Sequence, residues 1–123
     1  MGNEFLKAPM NYTGNKFKLL SQIIPLFPDN INTFVDLFCG SSTVSLNVKA
    51  NKVICNDSNE PLVEVLKYLQ SSNKEIILKE ISETIDEFDL YNHENGGYYL
   101  LRDRYNEDKR PLDLYVLSCF SFN

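Results

Sequence analysis

The sequence TFVDLFCGSSTVSLN at residues 33 to 47, followed by KVICND at residues 52 to 57, decides the fold. Residues 33 to 38 are apolar, with β-branched and aromatic side chains, which predicts a buried strand of the parallel type. Gly40 then permits a tight turn, and a serine or threonine after it can cap a helix that continues to residue 48. Residues 52 to 55 predict a second strand. The stretch therefore predicts a strand, loop, helix and strand unit of an α/β fold.

Asp57 lies at the end of the second predicted strand, 17 residues after Gly40. In nucleoside-binding α/β folds, an acidic residue roughly 20 residues beyond the glycine turn accepts hydrogen bonds from the ribose hydroxyls. The loop lacks the three glycines of a pyrophosphate-binding fingerprint. An S-adenosylmethionine site has no phosphate to hold and often carries an acid on the first strand, where this sequence has Asp36. At this point a generic βαβ unit, with Asp36 and Asp57 as ordinary turn residues, remains the alternative.

A second segment, APMNYTGNK at residues 8 to 16, precedes this unit. It is polar, contains a glycine and runs into a helical pattern formed by Phe17, Leu20 and Ile24, which Pro25 is expected to end. Taken alone, its lysine and tyrosine would be surface residues of a loop and a helix start. Its position ahead of the first predicted strand, however, favours a functional interpretation.

Together the segments resemble the Dam-type family of DNA adenine-specific methyltransferases. In that family an aromatic-x-Gly-x-Lys-like segment, here residues 12 to 16, precedes an Asp-x-Phe-x-Gly motif, here residues 36 to 40. A third motif matches residues 56 to 59, and the resemblance covers residues 5 to 70. The family usually has Gly-x-Gly in the first loop, whereas this chain has Ser42 at the second glycine. The side chain of Ser42 bears on how closely the backbone can approach a ligand at this position.

The resemblance implies S-adenosylmethionine as the cofactor. Tyr12 and Lys16 would lie against it, Asp57 would bind the ribose, and the first loop would shape the methionine end. The implied cofactor-binding residues are Tyr12, Lys16, Asp36, Phe38, Gly40, Ser41, Asp57 and Ser58. The implied fold is α/β, a partial Rossmann-like S-adenosylmethionine-dependent methyltransferase fold with about two parallel strands and an added helical segment.

The family's catalytic motif, an Asp-Pro-Pro-Tyr-like tetrapeptide, has no match in this sequence. The five prolines, at positions 9, 25, 28, 61 and 111, are never adjacent. We therefore expect an N-terminal part of a methyltransferase, truncated before its catalytic loop and inactive alone, with no catalytic residue in this chain. Residues 1 to 61 would belong to the cofactor-binding domain, and residues 62 to 123 would be part of a helical target-recognition region.

Helical patterns fill the rest of the sequence. Apolar residues recur at helical spacing after Asn59, after Asn73, after Gly97 and after Pro111, which predicts four helices.

Double-stranded DNA is the partner that the resemblance implies. Arg102, Arg104 and Arg110 alternate with tyrosines and are candidate contacts to phosphates or bases. Acidic residues alternate with them, which is equally typical of a solvated helical face. The formal net charge of −5 opposes nonspecific attraction to DNA, so any contact must come from a local patch.

The remaining composition argues for a cytoplasmic protein. The three cysteines lie in apolar runs without Cys-x-x-Cys spacing, which predicts reduced, buried core residues: Cys39, Cys55 and Cys119. The single histidine, His93, lies in a turn-like segment, and no metal site is predicted. No stretch approaches the roughly 18 apolar residues of a membrane span, and residues 1 to 10 lack the apolar core of a signal peptide.

Three functions remain in view. The first is a site-specific DNA adenine methyltransferase of a restriction-modification kind. The second is a small-molecule methyltransferase or another nucleoside-binding α/β enzyme. The third is a noncatalytic interaction module. An incomplete sheet would leave apolar surface uncovered, so self-association is also expected.

Overall fold

A computed structural model describes residues 4 to 121 of the chain. It contains two parallel strands and five α-helices in the α/β order that the sequence predicts. The elements are β1 (Ile31–Asp36), β2 (Ala50–Cys55), α1 (Leu20–Ile23), α2 (Glu60–Ser71), α3 (Lys74–Glu87), α4 (Gly97–Asp108) and α5 (Pro111–Phe120). The chain divides into two compact units, one up to Glu60 and one from Pro61. This division lies one residue from the boundary placed at residues 61 and 62 from the sequence.

The first unit is built on the pair of parallel strands. Thr33 lies opposite Lys52, and Val35 lies opposite Ile54. Both strands begin two residues earlier than the sequence pattern suggested, and β1 ends at Asp36 instead of residue 38. The expectation of a buried strand is wrong for these residues, because Val35 is 50% exposed. A parallel sheet is normally covered on both faces, and in the described residues this sheet has two strands.

The segment between the strands differs from its prediction. Residues 40 to 47 form a succession of turns instead of a regular helix. The amide of Ser42 donates to the carbonyl of Cys39 at 2.7 Å, and the amide of Leu46 donates to the carbonyl of Ser42 at 2.9 Å. Ser42 has φ of +68°, in the left-handed region, and this interrupts a right-handed helix at its first turn.

The helix after residue 16 is also shorter than its pattern. α1 has four residues, and 3₁₀ turns flank it at Phe17–Leu19 and Ile24–Leu26. Pro25 therefore lies inside the second 3₁₀ turn and does not end the helical segment. A 3₁₀ turn accepts proline near its start because that amide has no partner within the turn.

The second unit is helical, and the four helices predicted from the sequence are confirmed. The side chain of Asn73 caps α3 by accepting from the amide of Glu75 at 2.8 Å. The hydroxyl of Tyr68 in α2 donates to the carboxylate of Glu80 in α3, and burial together with this contact raises the pKa of Tyr68 to about 12. The buried core of the unit consists of Leu90, Leu101, Leu112, Val116 and Leu117.

The prediction that all three cysteines are buried is confirmed for one of them. Cys39 is buried, and burial raises the pKa of its thiol. Cys55 and Cys119 are exposed. Cys55 ends β2 on the sheet that lacks cover, which explains the difference. Across residues 4 to 121, no helix is long and apolar enough to cross a membrane. The same residues contain no group of three or more potential ligands arranged to hold a metal ion.

Candidate cofactor-binding site

A cavity of about 500 Å³ lies beside the carboxyl end of β1 in the first unit. This volume is in the range of roughly 300–1,000 Å³ that small-molecule sites occupy. Seven of the eight residues proposed from the sequence line it: Tyr12, Lys16, Asp36, Phe38, Gly40, Ser41 and Asp57. Ser58 is not among the lining residues. The structure therefore brings together residues that lie up to 45 positions apart in the chain.

Asp57 and Gly40 form the central contact of this cavity. The amide of Gly40 donates to Oδ2 of Asp57 at 2.9 Å, and the amide of Asn59 donates to Oδ1 at 2.9 Å. These two hydrogen bonds, first that of Asn59 and then that of Gly40, lower the pKa of Asp57. The group is a carboxylate at neutral pH, and each of its oxygens keeps a further lone pair for a ligand hydroxyl.

Gly40 also meets the N-terminal segment. Its φ is +52°, and a Cβ at this position would lie 3.3 Å from a ring carbon of Tyr12. Both the backbone conformation and the close approach of the ring favour glycine. The Nζ of Lys16 donates to the carbonyl of Gly14 at 2.9 Å, which holds this side chain beside the turn of its own segment.

Asp36 lies at the end of β1, and its environment contains a residue that the sequence analysis missed. The hydroxyl of Ser45 donates to Oδ2 of Asp36 at 2.7 Å. Nine residues separate the two, and the segment between them is irregular, so no periodic pattern relates them. Ser45 therefore orients the carboxylate of Asp36 at the cavity wall.

Asn56 ties the end of β2 to the loop that follows β1. Its amide donates to the carbonyl of Asp36 at 2.8 Å, and its carbonyl accepts from the amide of Cys39 at 2.9 Å. Its side chain donates to the carbonyl of Leu37 at 2.9 Å. These three contacts fix the course of the loop as it enters the cavity.

Apolar side chains supply a further part of the cavity wall, and the sequence analysis did not identify them as site residues. Ile23 and Phe27 come from the helical segment around α1, and Val44 comes from the turns after Gly40. The helical pattern identified an apolar face there but gave no information about what that face covers. With two carboxylates and a tyrosine, the wall suits a ligand that has hydroxyls, a cationic group and a planar ring.

Asn47 joins the N-terminal segment to the loop. Its Oδ1 accepts from the amide of Leu6 at 2.8 Å, and its Nδ2 donates to the carbonyls of Leu6 at 2.9 Å and Thr43 at 2.7 Å. Thr43 lines the cavity, and the segment that begins at Leu6 leads to Tyr12. One side chain therefore binds both of the segments that contribute to the site.

The family model described as D12 class N6 adenine-specific DNA methyltransferase matches residues 12–123. The chain belongs to this family. The resemblance seen in the sequence motifs is thereby confirmed, and it rests on the same Tyr12, Asp36 and Asp57 segments that meet at the cavity. The family assignment favours the DNA methyltransferase hypothesis over a small-molecule methyltransferase.

Three relatives give the same assignment. The chain is 48% identical over 121 residues to the type II methyltransferase M.FokI of Planomicrobium okeanokoites, covering 98% of this chain and 19% of that protein. It is 48% identical over 120 residues to the modification methylase StsI of Streptococcus sanguinis, covering 98% and 18%. It is 30% identical over 118 residues to the modification methylase LlaI of Lactococcus lactis subsp. lactis, covering 94% and 19%. The chain spans about a fifth of the length of these relatives.

The arginines proposed for DNA differ in their surroundings. Arg104 is bound by two acidic residues, Asp113 at 2.8 Å and 3.0 Å and Glu87 at 3.2 Å. These contacts raise the pKa of Arg104, and its side chain is mostly buried. Arg102 and Arg110 are exposed. Arg104 therefore has its donors engaged within the second unit, and Arg102 is paired with Asp103 at 3.2 Å.

Proposed function

We propose that this chain supplies the S-adenosylmethionine-binding part of a site-specific DNA adenine methyltransferase. The whole enzyme would transfer the methyl group of S-adenosylmethionine to the exocyclic amine of adenine in double-stranded DNA. The names of two relatives, modification methylases, support a role beside a restriction enzyme. The chain contains no Asp-Pro-Pro-Tyr-like tetrapeptide, so we expect cofactor binding without methyl transfer from these residues alone.

One observation carries the proposal: residues of all three family motifs line one cavity. In this assignment the Asp57 carboxylate accepts from the ribose hydroxyls, and Asp36 faces the cationic amino acid moiety. Tyr12 and the apolar wall surround the adenine and methionine parts. The bound cofactor supplies an electrophilic methyl group on a sulfonium, and the residues of this chain hold and orient it.

The test is isothermal titration of the chain with S-adenosylhomocysteine and with its 2′,3′-dideoxy analogue. Asp57→Ala removes the carboxylate that would accept from the ribose hydroxyls, so it should weaken binding of the parent compound by about tenfold or more. Because Asp57 also holds the amide of Gly40, the loss alone does not identify its partner. The dideoxy analogue makes that distinction: it should bind the wild type more weakly, and Asp57→Ala should remove most of that difference.

Asp29→Ala is the matched control, since Asp29 is an exposed aspartate of the same unit that does not line this cavity. It should bind both compounds as the wild type does. The proposal fails if the wild type binds neither compound. The ribose assignment fails if the dideoxy analogue binds the wild type as tightly as the parent compound.

A further inference from the structure

A second cavity, of about 350 Å³, lies in the second unit at the start of α4. It shares no residue with the candidate cofactor site. Its walls include the rings of Tyr98, Tyr99 and Phe120 and the polar side chains of Asn92 and His93. We call this space the aromatic cavity. Its volume reaches the lower part of the range for small-molecule sites, roughly 300–1,000 Å³.

One of the three rings at the aromatic cavity is accessible to a ligand. Tyr99 is 60% exposed, whereas Tyr98 and Phe120 are half-buried and pack against the core of the second unit. Tyr98 and Tyr99 are nearly perpendicular, at 87°. Exposed aromatic rings held in fixed positions lose little conformational freedom when a planar group stacks on them.

The charges around the aromatic cavity favour an uncharged planar group over a phosphate. None of its described lining residues is a lysine or an arginine. Arg102 lies over the ring of Tyr99 at 5.1 Å, and it is paired with Asp103 at 3.2 Å. Phosphate recognition depends on basic side chains, whereas aromatic rings recognise the faces of nucleobases.

We propose that the aromatic cavity binds an unstacked nucleobase of the DNA, with the ring of Tyr99 stacked on the base and Asn92 as its hydrogen-bonding partner. This site is additional to the one at which the methyl group is transferred. The inference rests on the proposed function, because that function makes DNA the polymer that carries the base. It uses none of the residues assigned to the cofactor.

The experiment titrates the 123-residue chain into a single-stranded oligonucleotide that carries one 2-aminopurine, a base whose fluorescence is quenched by stacking. Because a stacked base contributes about 1–3 kcal/mol, Tyr99→Ala should weaken binding by about 5- to 150-fold and remove the quenching. Tyr99→Phe keeps the ring and should retain both. Leu100→Ala is the matched control, because Leu100 follows Tyr99 in α4, is 61% exposed and does not line the cavity.

Three results would overturn the proposal. The first is that the wild-type protein leaves the fluorescence unchanged. The second is that Tyr99→Ala quenches the fluorescence as strongly as the wild type does. The third is affinity that falls steeply with salt and equally in every variant, since this indicates contacts to phosphates alone. The titration is done without cofactor, so its failure is distinguishable from failure of S-adenosylhomocysteine to bind the first unit.

Discussion

At the scale of single residues, Ser42 shows how this chain departs from its family and still keeps the loop. Its φ of +68° is a conformation that a residue with a side chain adopts at a cost of roughly 1–2 kcal/mol. The resemblance noted in the sequence implies a second loop glycine at this position. In the structure a serine occupies it in the left-handed conformation.

Ser42→Gly should consequently stabilise the protein by about 1 kcal/mol, since glycine relieves the left-handed strain. The measurement is the free energy of unfolding in urea. Ser41→Gly is the matched control: Ser41 has no positive φ, is buried, and lies 3.3 Å from the hydroxyl of Thr43. It should destabilise the protein. A Ser42→Gly variant less stable than the wild type would contradict the strain at this position.

Asp57 makes the loop sensitive to acid. Its pKa is lowered by the amides of Asn59 and Gly40, so its folded-state value lies below the ordinary 3.8. A lowered carboxyl pKa gives stability that is fully present above the unfolded value and is lost as the pH falls through the folded value. The amide resonance of Gly40, followed by NMR, should shift with a midpoint below 3.8. Asp57→Asn should abolish this shift, and a midpoint above 3.8 would contradict the assignment.

At the scale of elements, the sequence predicted the helices of the second unit better than the parts of the first. α2 to α5 follow from local signals, such as the Asn73 cap and Pro111 in the first turn of α5. The turns after Gly40 were predicted as a helix from a possible serine or threonine cap followed by Val44, Leu46 and Val48. These apolar residues recur at every second position, which is not the helical spacing, so the signal for a helix was weak. The exposure of Val35 could not be predicted, because burial depends on which elements lie beside the strand.

Asn47 connects the N-terminal segment to the loop, and its removal should weaken cofactor binding. Asn47→Ala removes three hydrogen bonds, each with a net contribution of about 0.5–1.5 kcal/mol. We expect S-adenosylhomocysteine to bind roughly tenfold more weakly and the amide of Leu6 to exchange faster with deuterium.

Asn51→Ala is the control for this prediction. Asn51 forms one exposed hydrogen bond with Asn32, at 3.2 Å, and does not line the candidate cofactor cavity. Its removal should leave the affinity and the exchange of Leu6 unchanged. Equal losses of affinity in both variants would assign Asn47 to general stability instead of to the site.

Arg104 and Asp113 connect α4 to α5. Asp113 is fully buried, and the guanidinium binds both of its oxygens. Arg104→Met leaves a buried carboxylate without its partner, which typically costs about 3–5 kcal/mol. The double variant Arg104→Met with Asp113→Leu should recover most of this loss in urea unfolding. A single variant as stable as the wild type would show that Asp113 does not depend on the charge of Arg104.

At the scale of the molecule, the three motifs predicted residues that line one cavity, whereas the residues that support them came only from the structure. Tyr12, Asp36 and Asp57 were found because their spacing matches a family. Ser45, Asn47 and the apolar wall were missed because they depend on where an irregular loop passes. Motifs and helices could therefore be predicted from residues that are close in the sequence. The contacts of the loop residues depend on tertiary packing, so the sequence did not predict them.

Self-association is the prediction that belongs to the whole molecule. Val35 and Ile54, opposite each other on the two-stranded sheet, are 50% and 40% exposed. Exposed apolar strands promote pairing between chains. Light scattering over a range of concentrations should reveal dimers or larger species. Val35→Thr with Ile54→Thr should raise their dissociation constant at least about tenfold, because burial of such side chains contributes about 1.5–3 kcal/mol each.

Ile76→Thr is the matched control for the sheet, since Ile76 is 55% exposed on α3. If association depends on the strands, this variant should associate as the wild type does, because it removes a similar apolar side chain from a helix. If Ile76→Thr weakened association as much as the two strand substitutions do, association would be nonspecific. A wild-type chain that is folded and monomeric at every concentration would instead mean that backbone polar groups at the strand edges are satisfied by water, and that the exposed side chains contribute too little to pair two copies.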